Sequence, residues 1–489
     1  MRALVDARMR LMDVKGDALG VLLDSALEPI VEMVALRDGD AYEVHASDGS
    51  SRFDRDGRVI SSSGRDPLGD DATDRFAGLD DELAVRFPTR TANSYPFGRE
   101  QVVQLFDHPC APDLCVIHTS AHNWADQGGH LGEHGSLDVV QARAPFIIAG
   151  KGVKALGPLP RSCKIVDVAP TVLALMGASP FLRTDGTVLG DLLEEGEHPD
   201  HVVGFLFDGC NPNVLYAAAA RGDAPNVARL MAMGTTFEHG AMASLPTVTL
   251  ANHTSVLTGL HPGHHGILHN AWYDRAKGEQ VITNSAATWH GATDSLFPGV
   301  ETIHDVVHRT WPGDCTASIN EPCDRGADFS TFDFVRRGVP LERPPAPEEL
   351  PHASQMFVRP VKEYRWSSRV DHTTVQQHAG VWSGQYLGSD WPLPRFTWCN
   401  FSLTDAAFHE GGPHSEIALA SIRDTDARLG EVLATVERTG VWDTTAFFLV
   451  ADHGMEETNP AVQGDWSPAL RDAGIDFRDE AYGFLYLNP

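Results

Sequence analysis

An α/β fold with a largely parallel central sheet, helices on both faces and a capping insertion is what this sequence predicts, on three observations. Short β-like runs, "HVVGFLF" at 201–207, "RFTWCNFSLT" at 395–404 and "TTAFFLVA" at 444–451, are each followed by polar residues, as is "DLCVIHT" at 113–119. Helical patterns separate them, at 224–234 ("APNVARLMAMG") and 414–440, and alternation of the two kinds is the mark of such a sheet. Acidic residues, Asp208, Asp405 and Asp452, fall just past three of the runs. Ligands of open α/β sheets gather at those strand ends.

The remaining elements follow along the chain. Its 489 residues suit one large domain with insertions or two to three ordinary ones, and 42% apolar residues allow a sizeable core. The amino-terminal "MRALVDARMRLMDVKGDALG" has no unbroken apolar segment suited to a signal peptide. Residues 41–60 alternate and carry Asp-Gly turns, so they read as antiparallel hairpins. Residues 176–200 become polar and acidic and read as a linker. From 285 to 395 the pattern is irregular, with proline clusters and exposed-looking Trp289, Trp311, Trp366, Trp382 and Trp391. That stretch reads as an insertion capping the site.

Charge excludes several partners. With 38 Lys+Arg against 67 Asp+Glu, the net charge of −29 repels nucleic-acid polymers and anionic membranes. An anionic substrate then needs a local positive source, and metal ions would serve. No apolar run is long enough to cross a bilayer. Seven cysteines without a CxxC pair read as scattered reduced thiols. A cytoplasmic protein is the expectation.

The chemistry concentrates at the strand ends. Asp208 closes "VVGFLFDG" and reads as a metal ligand or as a cap of the next turn. Asp405 and His409, four residues apart, can point at one ion from one helical turn. Asp452-His453 follows a buried-looking strand, where an unpaired carboxylate is costly. Imidazole and carboxylate in such numbers suit zinc or manganese better than calcium. Thr249 opens a helical stretch, "LANHTSVLTG", whose free amides and dipole favour an anion. Its hydroxyl needs a base or a metal to become a nucleophile. Thr247 or Thr249 as an ordinary N-cap is the plainer alternative.

Together, the Asp-Gly after the first strand, "PTVTLANH", "TGLHPGHHGILHN", Asp-x3-His and "ADHGM" resemble the alkaline phosphatase superfamily, and most closely its nucleotide pyrophosphatase/phosphodiesterase branch. The resemblance covers most of 200–275 and 400–456. It implies an alkaline phosphatase-like fold and a phosphodiesterase with two divalent metal ions, zinc ahead of manganese, and a phosphothreonine intermediate. By that likeness Asp208, Asp452 and His453 hold one ion, which also activates Thr249, while Asp405 and His409 hold the other. Asn270, which matches the family's asparagine after "HGI", binds a phosphate oxygen; Asn252 and His253 read as helix-start structure.

The family's further histidine, in a Gly-x-His-Gly context downstream of the Asp-His pair, has no counterpart there. "HLGEHGSLDVVQARAPFIIAGKGV" at 130–153, followed by "KIVDVAPTVLALMG", is similar to the family's carboxyl-terminal segment. His134 then becomes the third ligand of the second ion, ahead of His130, and the chain reads as circularly permuted. In that reading 1–195 is the family's carboxyl-terminal part, 196–201 the junction and 202–489 the amino-terminal and central part, with 285–395 as cap, all in one catalytic domain.

A phosphomonoesterase or a phosphonoacetate-type hydrolase of the same superfamily is the alternative activity. A sulfatase is disfavoured, because "CAPDL" at 110 lacks the arginine of the sulfatase motif. A non-catalytic metal- or phosphate-binding protein sits poorly with a full set of ligands and nucleophile. The substrate expected is a small phosphodiester, nucleotides included. Arg359, Lys362, Arg365 and Arg369 read either as contacts to extra phosphates or as a solvated basic face.

Overall fold

The computed structural model describes residues 2–124, 130–341 and 362–488. Its central sheet has eight strands in the order Phe329–Ser330, Thr316–Ile319, Phe396–Phe401, His201–Phe207, Thr445–Val450, Phe146–Gly150, Gly234–Phe237 and Gly157–Leu159. The first five run parallel, Phe146–Gly150 is antiparallel to both neighbours, and the last two are parallel again. Phe396–Phe401 and Thr445–Val450 are buried throughout, as is His201–Phe207 beyond its first residue. Strands covered on both faces can be apolar without alternation. Gly204, midway along His201–Phe207, is a close approach: a Cβ there would lie 2.4 Å from Phe448 and 2.6 Å from Trp398.

Two cores lie on the two faces. One holds Leu215, Val227, Leu429 and Val432, from the helices Pro212–Arg221, Pro225–Met233 and Glu416–Thr439. The other holds Val172, Val256 and Val306, from Val168–Met176, Thr249–Thr258 and Ile303–Thr310. Phe146–Gly150 comes from the front of the chain, yet it lies between strands that follow residue 200.

A second sheet departs from the parallel pattern. Its seven strands are all antiparallel, in the order Phe477–Glu480, Phe484–Leu487, Leu114–His118, Val31–Asp38, Ala41–Ala46, Gly49–Phe53 and Val59–Gly64. The hairpins of 41–60 are here. So is "DLCVIHT", whose strand was grouped with those of the parallel sheet. Leu114–His118 is buried along its whole length, so composition does not reveal which sheet it joins. The helix Arg2–Leu22 packs on Phe484–Leu487 and on Ser467–Asp472, so segments from both ends of the chain meet.

The stretch 285–395 is only partly a cap. Thr316–Ile319 and Phe329–Ser330 extend the central sheet, and Lys362–Trp382 packs on Phe396–Phe401 and Glu416–Thr439. Strands of four and two residues are too short to show a periodicity, hence the irregular appearance. Trp382 is buried, and its indole N–H donates to Thr397 Oγ1 at 3.1 Å. Trp311 lies under the Arg395 guanidinium, 4.2 Å from the ring centre. The proline-rich 342–361, with Arg359, lies outside the described residues, as does the side chain of Lys362. Among the described residues no helix is long and apolar enough to cross a membrane, and the seven cysteines are unpaired.

The polar segment after Met176 is stitched down rather than loose. Asp167 Oδ1 accepts from the Thr187 amide at 2.8 Å. Asp185 Oδ2 accepts from the His261 amide at 2.9 Å and from His264 Nδ1 at 2.7 Å, and His264 Nε2 donates to Asp107 Oδ2 at 2.9 Å. Burial opposes the His264 charge, but the two carboxylates outweigh it and raise its pKa, while their own are lowered by that partner, and for Asp107 first by Arg55. The histidine's contribution to stability is therefore full below its unfolded pKa of about 6.5 and fades as pH rises through the raised folded value. The carboxylates' contribution is present above about 4 and is lost on acidification. His264→Asn should cost about 1–3 kcal/mol at pH 5.5 and clearly less at pH 9. Urea denaturation at both pH values measures this, and an equal loss at both would contradict it.

Candidate metal centre at the strand ends

Three neighbouring strands deliver three carboxylates to one place. Asp208 follows His201–Phe207 directly, and Asp452 follows Thr445–Val450 by two residues. Phe396–Phe401 leads into the helix Leu403–Gly411, which carries Asp405 in its first turn and His409 in its last. Thr404 Oγ1 donates to Asp208 O at 2.6 Å, fixing that helix to the first strand end. Gly209 allows the approach. Its φ of 60° is left-handed, its amide donates to Asp452 Oδ1 at 3.0 Å, and a Cβ there would fall 2.6 Å from Asp405 Oδ1.

His134 arrives from the front of the chain. The short strand Gly132–Glu133 before it pairs with Glu456–Glu457, just past the Asp452-His453 pair. His134 Nε2 lies 3.9 Å from Asp405 Oδ1, and His409 Nε2 lies 3.4 Å from the same oxygen. The His134 ring stacks on His453 with centres 3.7 Å apart, and His453 Nε2 is 3.1 Å from Asp452 Oδ2. His130 sits further out, its Nδ1 donating to Glu133 Oε1 at 3.1 Å.

All three histidines face the centre with the same nitrogen. Each Nδ1–H donates to a backbone carbonyl at 2.8 Å: His134 to Thr247, His409 to Gly132 and His453 to Gly454. That fixes each ring so that Nε2 is the nitrogen aimed at the centre, as in metal-ligating histidines. Buried polar atoms are normally satisfied, yet Asp208 Oδ1, Asp405 Oδ1, Asp452 Oδ2 and His453 Nε2 have no hydrogen-bond partner. Ligand atoms of His134, Asp405 and His409 lie within 4.8 Å of one another, and so do those of Asp208, Asp405 and His453. These donor sets fit divalent cations.

Protonation follows from the crowding. Burial, with Asp452 and Asp405 nearby, pushes Asp208 up to about 8. Burial would also raise Asp405 and Asp452, but His409 and His453 outweigh it and hold both well below the usual carboxylate range. His409 is raised to about 10 by Asp405 despite burial. His134 goes the other way, well below its ordinary value, through burial and the adjacent His453 and His409. It is neutral, the form that ligates.

Thr249 is the first residue of Thr249–Thr258, and the N-cap residue, Val248, offers no side-chain cap. Thr247 points elsewhere: its hydroxyl donates to Ser136 O at 2.7 Å and accepts from the Gly135 amide at 2.9 Å, holding the His134 loop. Asn270 Oδ1 accepts from the Leu250 amide at 3.2 Å, so its carboxamide stands at the helix terminus. Thr249 lines two cavities of about 340 and 450 Å³, which also share Asp405 and His409. The larger is flanked by Trp289, Phe332 and Trp366. Neither Arg365 nor Arg369 lines either one.

Of the two residues read as helix-start structure, Asn252 has that role. Its carboxamide bonds Ser244, Pro246 and Val248 and shapes the turn before the helix. His253 differs. Its Nε2 lies 3.5 Å from both Asp208 Oδ2 and Asp452 Oδ2, and its Nδ1 is 2.9 Å from the buried Glu321, which also accepts from the Trp398 indole at 3.0 Å. Opposed carboxylates raise the His253 pKa well above normal despite burial. A histidine one turn into the helix was the available signal for it; Glu321, in an irregular stretch, offered none.

Fold and site thus define an α/β protein with a histidine–carboxylate centre built to hold metal at its strand ends. A family model, type I phosphodiesterase / nucleotide pyrophosphatase, matches residues 202–489, and the chain belongs to that family. An uncharacterized pyrophosphatase/phosphodiesterase of Schizosaccharomyces pombe is 29% identical over 270 residues, 53% of this chain and 45% of that protein. The bis(5'-adenosyl)-triphosphatase enpp4 of Xenopus laevis is 23% identical over 254 residues, 51% of this chain and 46% of that protein. The chain spans about half the length of the curated relatives it matches. Among solved structures, murine ectonucleotide pyrophosphatase/phosphodiesterase 5 aligns with a TM-score of 0.36 and 16% identity, covering 52% of this chain and 57% of that one.

Loading a divalent cation must displace the protons held on Asp208 and His409. Since their pKa values lie above neutrality, apparent affinity should strengthen as pH rises from 6 to 9. Calorimetric titration of the apoprotein with Zn²⁺ in buffers of different ionisation enthalpy should report net proton release near pH 7. An affinity independent of pH would contradict this protonation pattern.

Proposed function

We propose that the protein is a two-metal phosphodiesterase, with Thr249 as nucleophile and a phosphothreonine intermediate. The observation that carries this is the position of Thr249. It opens a helix whose N-cap residue, Val248, offers no side-chain cap, in cavities lined also by His134, Asp208, Asp405 and His409, of which Asp208 Oδ1 and Asp405 Oδ1 have no hydrogen-bond partner. Asp208, Asp452 and His453 would hold one ion, and Asp405, His409 and His134 the other. Zinc is favoured over manganese by the imidazole content. Bound there, the ions supply positive charge that lowers the threonine pKa and neutralises phosphoryl oxygens.

The chain's own groups do the rest. Thr249 Oγ1, its proton lost to solvent, attacks phosphorus as one P–O ester bond breaks and the leaving oxygen takes up a proton; water then attacks phosphorus, breaking the Oγ1–P bond, releasing the phosphomonoester and restoring the hydroxyl. The Asn270 carboxamide, whose Oδ1 accepts from the Leu250 amide, offers its N–H to a phosphoryl oxygen at the positive end of the helix. Two cavities meeting at Thr249 favour a diester over a monoester, which would fill only one. A nucleoside suits the larger, where Trp289, Phe332 and Trp366 offer stacking faces.

Thr249→Ala should lower turnover of bis-p-nitrophenyl phosphate by a factor on the order of 10³ with metal content intact. Retention of most activity would remove Thr249 from the mechanism.

The order of the segments is proposed to be a circular permutation of the family's. Supporting it are the place of Phe146–Gly150 inside the central sheet and the pairing of Gly132–Glu133 with Glu456–Glu457. Opening the chain near 198 and joining 489 to 1 through a flexible linker should give an active, metal-loaded protein. Separately folding pieces 1–195 and 200–489, each with its own metal, would sink the idea.

A further inference from the structure

The smaller cavity joins residues of the centre to residues of the second sheet. One wall is the centre itself, with Thr249, Asn270 and the His134, Asp405 and His409 set. The rest of the lining comes largely from the second sheet and the hairpins beside it, with Val116, Trp124, Ile282, Tyr482 and Phe484 as its apolar part and His118 and Asn284 among its polar residues. The Trp124 and Tyr482 rings lie 4.7 Å apart, and Phe484 meets His269 edge-on at 4.8 Å. His269 is buried, and burial pushes its pKa down to about 3, so it brings no charge.

Among the described residues lining either cavity, none is lysine or arginine. Away from the His134, Asp405 and His409 set, an anionic substituent would find no lysine or arginine there, in a chain of net charge −29. Tyr482 is also held in place at some cost. Ala481 and Tyr482 have φ of 51° and 62°, a left-handed conformation that residues with a side chain seldom adopt. Gly483 follows, its amide donating to Asp479 Oδ1 at 2.9 Å. Strain of this kind persists where the surroundings enforce it, and it collects at ligand sites.

We infer that this cavity is the subsite for one ester substituent of the substrate, and that the substituent is uncharged and apolar or aromatic. The inference rests on the phosphodiesterase reading and narrows it: diesters with two neutral substituents are substrates, and phosphoanhydrides bearing an anionic pyrophosphate group are poor ones.

Thymidine 5'-(p-nitrophenyl phosphate) and thymidine 5'-triphosphate share the nucleoside and differ in this substituent. The wild-type, metal-loaded protein should favour the aryl ester by about 100-fold or more in kcat/KM. Because nitrophenolate is intrinsically a good leaving group, charge variants decide. Tyr482→Lys should narrow the preference by about tenfold. Ile282→Lys, on a different hairpin and likewise exposed, should do the same. An unchanged preference in both folded variants would overturn the subsite while leaving the hydrolase reading intact. Calorimetry with diphenyl phosphate separates the two ideas. Binding to the wild type that weakens about tenfold in Tyr482→Ala, without turnover of any diester, supports the subsite and sinks the hydrolase. No binding of diphenyl phosphate overturns the subsite.

Discussion

Three carboxylates crowd together at the ends of adjacent strands, and much of the molecule is arranged to make that tolerable. Asp452 is fully buried and Asp208 nearly so. Negative charge in such a place is costly unless paired. The pairing has two layers. Inside, the histidines turn their Nε2 atoms inward because their Nδ1 atoms are committed to backbone carbonyls. Outside, His253 braces Asp208 and Asp452 from behind, and is itself braced by Glu321 and the Trp398 indole. Gly209 supplies the room. A side chain at Gly209 would strike Asp405.

The same constraint explains the lining of the cavities. A surface this acidic has few cations to spare, and no lysine or arginine is placed among the described residues around Thr249. Positive potential beside Thr249 comes from the amino terminus of Thr249–Thr258. With that potential gathered at one point, the lining around it is free to carry aromatic residues. The aromatic faces of Trp124, Trp289, Trp366 and Tyr482 use that freedom.

What the sequence made legible is what is local. Each strand run and the acid that follows it lie within a few residues, so Asp208, Asp405 and Asp452 could be placed at strand ends before any coordinates. The helices at 224–234 and 414–440 and the hairpins at 41–60 are local patterns as well. Long-range pairing was harder to see. Leu114–His118 has an apolar run of the same kind as the central strands, and only its partners, Val31–Asp38 and Phe484–Leu487, put it in another sheet. Thr316–Ile319 and Phe329–Ser330 are too short to show alternation. Trp382 looked exposed because nothing nearby in sequence announces Thr397, the partner of its indole. His253 looked like helix-start structure because its three acidic neighbours come from three distant segments.

The seven-stranded sheet sets an order of events during synthesis. Leu114–His118 is made early, but one of its two edges waits for Phe484–Leu487, which emerges some hundreds of residues later. Phe146–Gly150 similarly waits for Thr445–Val450. On a ribosome adding about 5–20 residues per second, these edges stay open for tens of seconds. Unpaired strand edges are templates for pairing with other chains. Until those strands arrive the nascent chain carries open edges, and the part of the lining beside Thr249 that Phe484 supplies is among the last features to take shape.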